Sequence, residues 1–580
     1  MWFSPWRRIL RGRSGDAKPS GLRAGTKFVE EDTGVEYTYD PVMKDWKKKV
    51  APYSAIVCKD GSTVWAEDFS GKTIASGEAG VDDASVIQSA LNNRGAVILR
   101  QATYKCNSTL IIKSGTSLIG EGGLNFYNPY KTMLDFSGAG DVPAIKFDDP
   151  DVGRVQGGCL KNLIIWGNTT TKQGTGLYLN KLSNGVFRNI DINYFKRGLY
   201  VLEGWNIYYD NLAVNACGDT ASSTSAILLD GGTDDTNHQI FVGLQGGGCE
   251  YIVFETTGAC SRNHLIAPTV EMPKDGISKG FVFNEGAYFR MTNIDLLMRG
   301  EVGIQIENKA FIKIVCGKID CNGYNYGIIN KSWQNCSVIG VDIYAPAAAG
   351  IYNTGALSVH GGYIYGTGAS DRGIYNDSGE IRLYGAHVTF FNKEAFYSFR
   401  GKVQIFGGRF ENASIETAGA GSVIKLANVE FAYIKAPIIY VDPENNSSWA
   451  FEIQNCTDVL IDEAYAYGNL VGFITEPESN TNLRIRVKNA NHKYYNSGVA
   501  TFSGDGVAKV FEIGAHGLVT TDPSKIAVRV TPASSDAIAA SPCVGYVDPV
   551  DNTKIKVKFS SPPDSGANNV QIVWHAEVVS

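Results

Sequence analysis

A chain of 580 residues with 65 glycines, 11% aromatic residues and only 6 methionines has the length for a large core and the composition of a turn-rich all-β protein. Its net charge of −6 argues against a polyanion or nucleic-acid partner. No run of about 18 apolar residues marks a membrane span, so no membrane insertion is expected.

The eleven cysteines are odd in number and match no zinc or Cys-x-x-Cys spacing. Cys316, Cys336 and Cys456 lie in strand-like runs beside aliphatic residues. Most cysteines are therefore expected to be reduced and buried, in a protein made in a reducing compartment. The first residues lack the continuous apolar stretch of a signal peptide. The basic cluster Arg7, Arg8, Arg11 and Arg13 reads as a solvated tail.

Within residues 1–50, the segment 25–39 reads as two alternating strands around Asp32-Thr33-Gly34, a hairpin signal. This hairpin, with Trp46 nearby, resembles small modules at the front of phage and archaeal-virus tail proteins. The resemblance implies a segment that docks on virion tail or baseplate proteins.

Residues 51–95 are expected to form a cap. In the segment 82–93, apolar residues at 86, 87, 90 and 91 define one face of a short helix, with Asp82 or Asp83 suited to the N-cap. Strand-like runs follow at 96–99 and 110–112, then Ser117-Leu-Ile-Gly-Glu-Gly122. This order resembles the opening of the pectate-lyase-like superfamily, in which an amphipathic helix plugs a right-handed parallel β-helix. The usual Pro-Ala-Gly-Thr-Tyr segment reads Arg100-Gln-Ala-Thr-Tyr104 here. That superfamily holds lyases, hydrolases, epimerases and inert viral spikes, so the resemblance leaves activity open.

From 96 to 439 a unit returns: a glycine, an aliphatic or aromatic pair, then often an asparagine, as in Gly327-Ile-Ile-Asn330, Gly350-Ile-Tyr-Asn353 and Gly373-Ile-Tyr-Asn376. Neighbouring glycines are 22 to 24 residues apart at 176/198, 280/303, 303/327, 327/350 and 350/373. So short a unit cannot bury its own apolar face, and a period of this length marks a solenoid. Alternation within each unit, as in 311–315 and 380–384, is strand periodicity. The expected fold is all-β: a right-handed parallel β-helix, its hand following the general preference of parallel crossovers. Coils are expected to be less regular across 219–275. Residues 440–497 lose the period and read as an irregular connector, and five or more alternating strands from 498 to 580 read as a C-terminal β-sandwich.

Aligning coils on the repeat glycine suggests a column of carboxylates: Glu271, Asp295, Asp320 and Asp342, with Asp191 in an earlier coil. Each lies between two apolar residues, so it points out of the barrel. Stacked acids about one or two coils apart bracket glycosidase separations, and mutual repulsion raises the pKa a general acid needs. Glu271, Asp295 and Asp320 are the candidate catalytic residues; Asp342, Asp191, Tyr324 and Tyr344 are candidate substrate contacts. Two other readings stand beside this one, a bridging cation and plain turn chemistry. The loop 230–238 is acidic and glycine-rich and reads as a surface loop or a groove wall. Tyr326, Trp333, Tyr363 and Tyr365 add aromatic surface suited to sugars or to stacking on one another. The seven histidines form no metal-ligand spacing, and no P-loop, dinucleotide or Gly-x-Ser-x-Gly motif occurs, so no cofactor or metal is expected.

Three functions remain open. The first is a homotrimeric virion spike or tail fibre, assembled in the host cytoplasm, that binds a host cell-surface polysaccharide or glycoprotein, with or without depolymerising it. The second is an exported polysaccharide lyase or glycoside hydrolase, and the third a non-enzymatic adhesin.

Overall fold

The computed structural model describes residues 9–13, 16–19, 26–30, 36–40, 44–48, 53–81, 83–93, 95–121, 131–271, 279–321, 323–367, 370–411, 421–441, 448–468, 470–475, 480–487, 495–518 and 523–578. The protein is almost wholly β-structure, and most of it is a parallel β-solenoid. It divides into two compact units, residues 1–291 and 292–580.

The first unit opens with a four-stranded sheet. Lys27–Glu30 pairs parallel with Ile9–Gly12 and antiparallel with Glu36–Asp40, which pairs antiparallel with Asp45–Lys48. Leu10, Phe28 and Tyr39 are buried in it, and the Lys18 ammonium lies 4.2 Å from the centre of the Tyr37 ring. The turn Asp32–Gly34, like Arg7 and Arg8, lies outside the described residues.

Three antiparallel strands follow, Ala55–Asp60, Thr63–Asp68 and Thr73–Glu78; the first also pairs parallel with Ala96–Leu99. Helix Ala84–Asn92 packs against all three, burying Ala84, Val86, Ile87, Ala90 and Leu91, the face its spacing dictates. Asp83 precedes the helix but does not cap it with its side chain. Its fully buried carboxylate instead accepts from Lys59 Nζ (2.6 Å), Lys105 N (2.8 Å) and Gly80 N (3.1 Å). A buried charge needs such a set of partners. Asp82 lies outside the described residues.

Each coil then carries three strand segments. The first face holds strands such as Thr175–Asn180 and Arg197–Leu202; a long bent strand such as Leu182–Asn193 or Trp205–Asn215 supplies the second and third faces. The bend is made by one residue in the left-handed region: Asn162 (φ 56°), Asn189 (φ 53°) and Asn211 (φ 57°). Asparagine tolerates that conformation, and here the three stack, Asn189 Nδ2 donating to Asn162 Oδ1 (3.0 Å) and Asn211 Nδ2 to Asn189 Oδ1 (3.1 Å). Inside, Phe187, Tyr209 and Phe241 form a buried stack with ring centres 5.2 and 4.1 Å apart. Across 219–275 the irregularity is smaller than expected. Parallel pairing continues through Ile227–Asp230, Ile252–Thr257 and Thr269–Glu271, and the main departure among described residues is 216–226, closed by the Asp219–Thr224 bridge.

In the second unit the repeat explains itself. Gly327, Gly350 and Gly373 stand opposite one another on consecutive coils of the first face. A methyl group on Gly350 would come 2.4 Å from Ile364 Cγ2 and 2.9 Å from the carbonyl oxygen of Gly373, so the inside corner has room only for glycine. Asn330, Asn353 and Asn376 form a fully buried ladder, Nδ2 of each donating to the next at 2.7, 2.6 and, onto Ser398 Oγ, 2.9 Å. Asn353 Nδ2 also donates to the carbonyl oxygen of Gly355 (3.1 Å), satisfying backbone that the turn would otherwise strand.

Parallel pairing does not stop near 435. Ser448–Gln454, Val459–Gly468, Leu470–Ile474 and Arg484–Val487 continue the coils, so the expected irregular connector is largely solenoid. The glycine period fades there because the segments between strands change length while the ladder persists. Beyond it, Tyr495–Gly504, Gly566–Val578 and Ile526–Pro532 form one antiparallel sheet, and Val510–Ala515, Lys554–Phe559 and Cys543–Val547 another. Val557 and Phe559 of one sheet share a core with Val570 and Ile572 of the other.

All eleven cysteines are free thiols; Cys336 and Cys456 are buried. Cys316 is exposed, contrary to expectation, because it occupies a left-handed corner (φ 58°) that turns its side chain outward.

Candidate functional site

The third face of the second unit carries the densest chemistry. Its inward positions are Ile319, Ile343, Ile364, Val388, Phe410, Ile439 and Ala466, all buried. Strand alternation turns the residues on either side of each outward, although neighbouring chain covers Thr389 completely and Glu411 nearly so. On one side, in register from coil to coil, run Lys318, Asp342, Tyr363, His387, Arg409, Ile438 and Tyr465. On the other run Asp320, Tyr344, Tyr365, Thr389, Glu411, Tyr440 and Tyr467.

The acids do project outward, but they do not form one column. Asp342 stands opposite Lys318, and Asp320 stands opposite Tyr344. Counting fifteen residues from the repeat glycines at 280, 303 and 327 lands on Asp295, Lys318 and Asp342, whereas Asp320 is two positions further. On the preceding coil Met298 N donates to the carbonyl oxygen of Asp320 (2.7 Å), and the charge of Asp295 acts on Lys318. Lys318 Nζ lies 3.0 Å from Asp320 Oδ2. The hydrogen bond to Asp320 and its charge hold the Lys318 pKa above the ordinary lysine value. An ammonium thus sits within the charge field of Asp320 and Asp295, replacing the mutual repulsion expected of stacked acids. Asp342 Oδ1 accepts the Tyr363 amide at 3.0 Å.

In the first unit, Glu271 is exposed at the end of its strand, opposite Gly247, which stands opposite Asn215. Asp191 belongs to a different row: it faces Ile164 and Ala213, two residues away from Asn193, the position in line with Glu271. It is also largely buried and accepts from Asn193 Nδ2 and Asn215 Nδ2, both at 2.9 Å. Burial raises its pKa, the two amides working against that rise. Asp191 is therefore not an outer member of the column. Tyr324 lies in the turn between Phe311–Asp320 and Tyr326–Asn330, off the third face, while Tyr344 lies on it.

The sequence reading missed the most organised cluster. Glu411, nearly buried, receives the Nε–H of Arg409 (2.5 Å) and lies 2.9 Å from His387 Nε2. Tyr363 meets the His387 ring edge-on at 4.5 Å, and Tyr365 lies 5.3 Å from Phe390. The Arg409 guanidinium lies 5.8 Å from Tyr440, which in turn lies 4.8 Å from Tyr467. Burial works against the Arg409 charge, but the hydrogen bond and charge of Glu411 outweigh it and raise the Arg409 pKa. Burial and the nearby Glu411 charge raise that of Tyr363. The signal was the recurring triplet of polar or aromatic, apolar, polar or aromatic residues at 363–365, 387–389, 409–411 and 465–467, broken only at 438–440, where Ile438 takes the first place.

Such a strip offers aromatic surface for the apolar faces of sugar rings and fixed donors and acceptors for their hydroxyls. Among the described residues, no three histidine, cysteine or acidic side chains converge as a metal-ligand set. The loop 230–238 is tied down: Asp230 accepts from Tyr200 Oη (2.9 Å), Asp234 pairs with Arg154 (3.1 Å), and Asp235 accepts the Ser261 amide (3.1 Å).

No protein-family model matches the chain, and no curated protein matches it by sequence. Among solved structures, a point mutant of the tailspike protein of E. coli bacteriophage HK620 in complex with a pentasaccharide is similar in fold, with a TM-score of 0.50 at 10% identity over 88% of this chain and 92% of that one. A protein of Geobacillus virus E2, the product of open reading frame 18, aligns over 97% of this chain and 92% of its own at 12% identity and a TM-score of 0.28. The chain shares the parallel β-solenoid fold of a bacteriophage tailspike.

Proposed function

We propose that this protein is a virion spike that attaches to a host-surface glycan through the third face of its second unit. The carrying observation is the in-register strip of outward positions from Lys318 to Tyr467, with Glu411 clamped by Arg409 and His387 among tyrosines. A solenoid presents one such triplet per coil, a repeat that suits a polymer better than an isolated small molecule. The similar tailspike of bacteriophage HK620 is itself bound to a pentasaccharide, which supports a saccharide as the ligand class. In this reading the N-terminal sheet docks on tail or baseplate proteins. Three chains associate, and the spike acts outside the cell after assembly in the host cytoplasm.

The reading is tested by measuring binding of host surface polysaccharide to wild type, Tyr363→Ala and Tyr440→Ala. Each substitution should weaken binding about tenfold, or ~1.4 kcal/mol, and unchanged binding in both variants would overturn the site. A second reading adds cleavage, favoured by the outward placement of Asp295, Asp320 and Asp342 beside the aromatic strip, with Glu271 exposed on the other unit. New reducing ends or unsaturated products from wild type, abolished by Asp320→Asn or Asp295→Asn, would establish it.

A further inference from the structure

A second feature lies in the first unit, on a different face and independent of the strip above. Pro143, Thr175 and Arg197 stand opposite one another on three successive coils of the first face. With Asp141, Lys196 and Thr224 they line a cavity of about 260 Å³. Thr224 comes from the 216–226 excursion, so the chain departs from regular coiling where it walls this cavity.

Arg197 is half-buried, and its Nε is fully buried with no hydrogen-bond partner among the described residues. Leaving a charged donor unmet inside a protein is costly, and such groups normally find an acceptor. Its guanidinium carbon lies 5.0 Å from the centre of the Tyr200 ring, whose hydroxyl donates to Asp230 (2.9 Å) and which stacks on Tyr178 at 4.8 Å. Burial pulls the Arg197 pKa below the ordinary arginine value, with the charges of Tyr200, Glu255 and Asp230 offsetting part of that. A bound anion would offset more. Lys196 brings a second cation, and no carboxylate among the described residues lies within ion-pair distance of either. The lining's one acid, Asp141, is exposed and uses Oδ1 to accept the Gly174 amide (2.9 Å). The lining itself holds two cations against one rim carboxylate, while Glu255 and Asp230 act on Arg197, and Asp219 interacts with Lys196, from outside the lining.

We propose that this cavity binds the carboxylate of an acidic sugar unit, with Arg197 and Lys196 receiving the charge and the hydroxyls of Thr175 and Thr224 meeting those of the ring. The volume falls just below the range of drug-sized sites, roughly 300–1,000 Å³, which suits one pyranose ring and excludes a long oligomer from entering whole. Charge-assisted hydrogen bonds to guanidinium supply the selectivity over neutral sugars.

The test is calorimetric or saturation-transfer NMR titration of the full chain at low salt with sodium glucuronate, glucose and acetate. Glucuronate should bind, glucose should not, and acetate should bind at least tenfold more weakly than glucuronate. Lys196→Gln should weaken glucuronate about tenfold and Arg197→Gln should abolish it, while circular dichroism reports an unchanged fold. Because Arg197 packs on Tyr200, Thr224→Val serves as a gentler second variant and should weaken glucuronate without affecting acetate. Absence of glucuronate binding by wild type, equal binding of glucose, acetate as tight as glucuronate (an adventitious anion only), or wild-type affinity in Lys196→Gln and Arg197→Gln would each overturn the proposal. Binding by Tyr363→Ala is a separate readout, so the two sites fail or stand independently.

Discussion

His387 Nε2 lies 2.9 Å from Glu411 Oε1 across adjacent coils, while the other carboxylate oxygen of Glu411 takes the Nε–H of Arg409. One carboxylate thereby fixes two side chains of the aromatic strip. The coil-to-coil register makes this possible, since it places position 387 against 409 and 389 against 411. Glu411→Ala should free both partners and lower affinity for host polysaccharide about tenfold or more. Circular dichroism should be unchanged, and calorimetry of binding checks the loss.

Gly350→Ala should destabilise the solenoid by about 1–3 kcal/mol, the range for overpacking a tight site. The added methyl meets Ile364 Cγ2 at 2.4 Å and the Gly373 carbonyl at 2.9 Å, and backbone cannot yield without breaking the ladder. Denaturant midpoints of wild type and variant provide the measurement.

Asn353→Leu should cost more, about 2–4 kcal/mol, because it strands buried polar groups on both neighbours. It removes the acceptor for Asn330 Nδ2 (2.7 Å) and the donors to Asn376 Oδ1 (2.6 Å) and Gly355 O (3.1 Å). A loss no larger than that of an exposed asparagine, measured by the same unfolding assay, would refute the role of the ladder.

Asp191 makes stability depend on pH. Burial raises its pKa in the folded chain above the ordinary 3.8, so the folded state holds the proton more tightly than the unfolded one. The contribution is therefore fully present below 3.8 and is lost as pH rises through the raised folded value. Asp191→Asn should remove that fall, leaving the variant at least as stable as wild type at pH 7. Unfolding midpoints at pH 4 and pH 7 for both proteins test the sign.

The proposed trimer predicts a solution mass near three times 62.7 kDa. The aromatic first-face column Tyr352, Tyr375 and Tyr397, with ring centres 5.3 and 5.1 Å apart, offers one surface for such association. Light scattering at micromolar concentration giving a monomer mass would overturn it.

The sequence by itself determined the solenoid, because the features that specify it are local. Gly327, Gly350 and Gly373 mark a corner too tight for a side chain, and Asn330, Asn353 and Asn376 recur because each hydrogen-bonds the next. The alternation Ile319-Asp320-Cys321 or Val341-Asp342-Ile343 likewise fixes which residues face water. Register across the third face was decided only in three dimensions. The path from the repeat glycine varies in length: fifteen residues reach Lys318 from Gly303 and Asp342 from Gly327, but thirteen reach Tyr363 from Gly350. A two-residue offset keeps every side chain on its proper face while changing its neighbours, so Asp320, seventeen residues from Gly303, meets Tyr344, while Lys318 and Asp342, each fifteen from their glycines, meet one another. Pairings such as His387 with Glu411, and the gathering of Thr224 with Arg197, join residues some 24 or more positions apart in the chain. Only the closed hydrogen-bond ladder brings such residues together, since no local preference encodes which coil position will meet which.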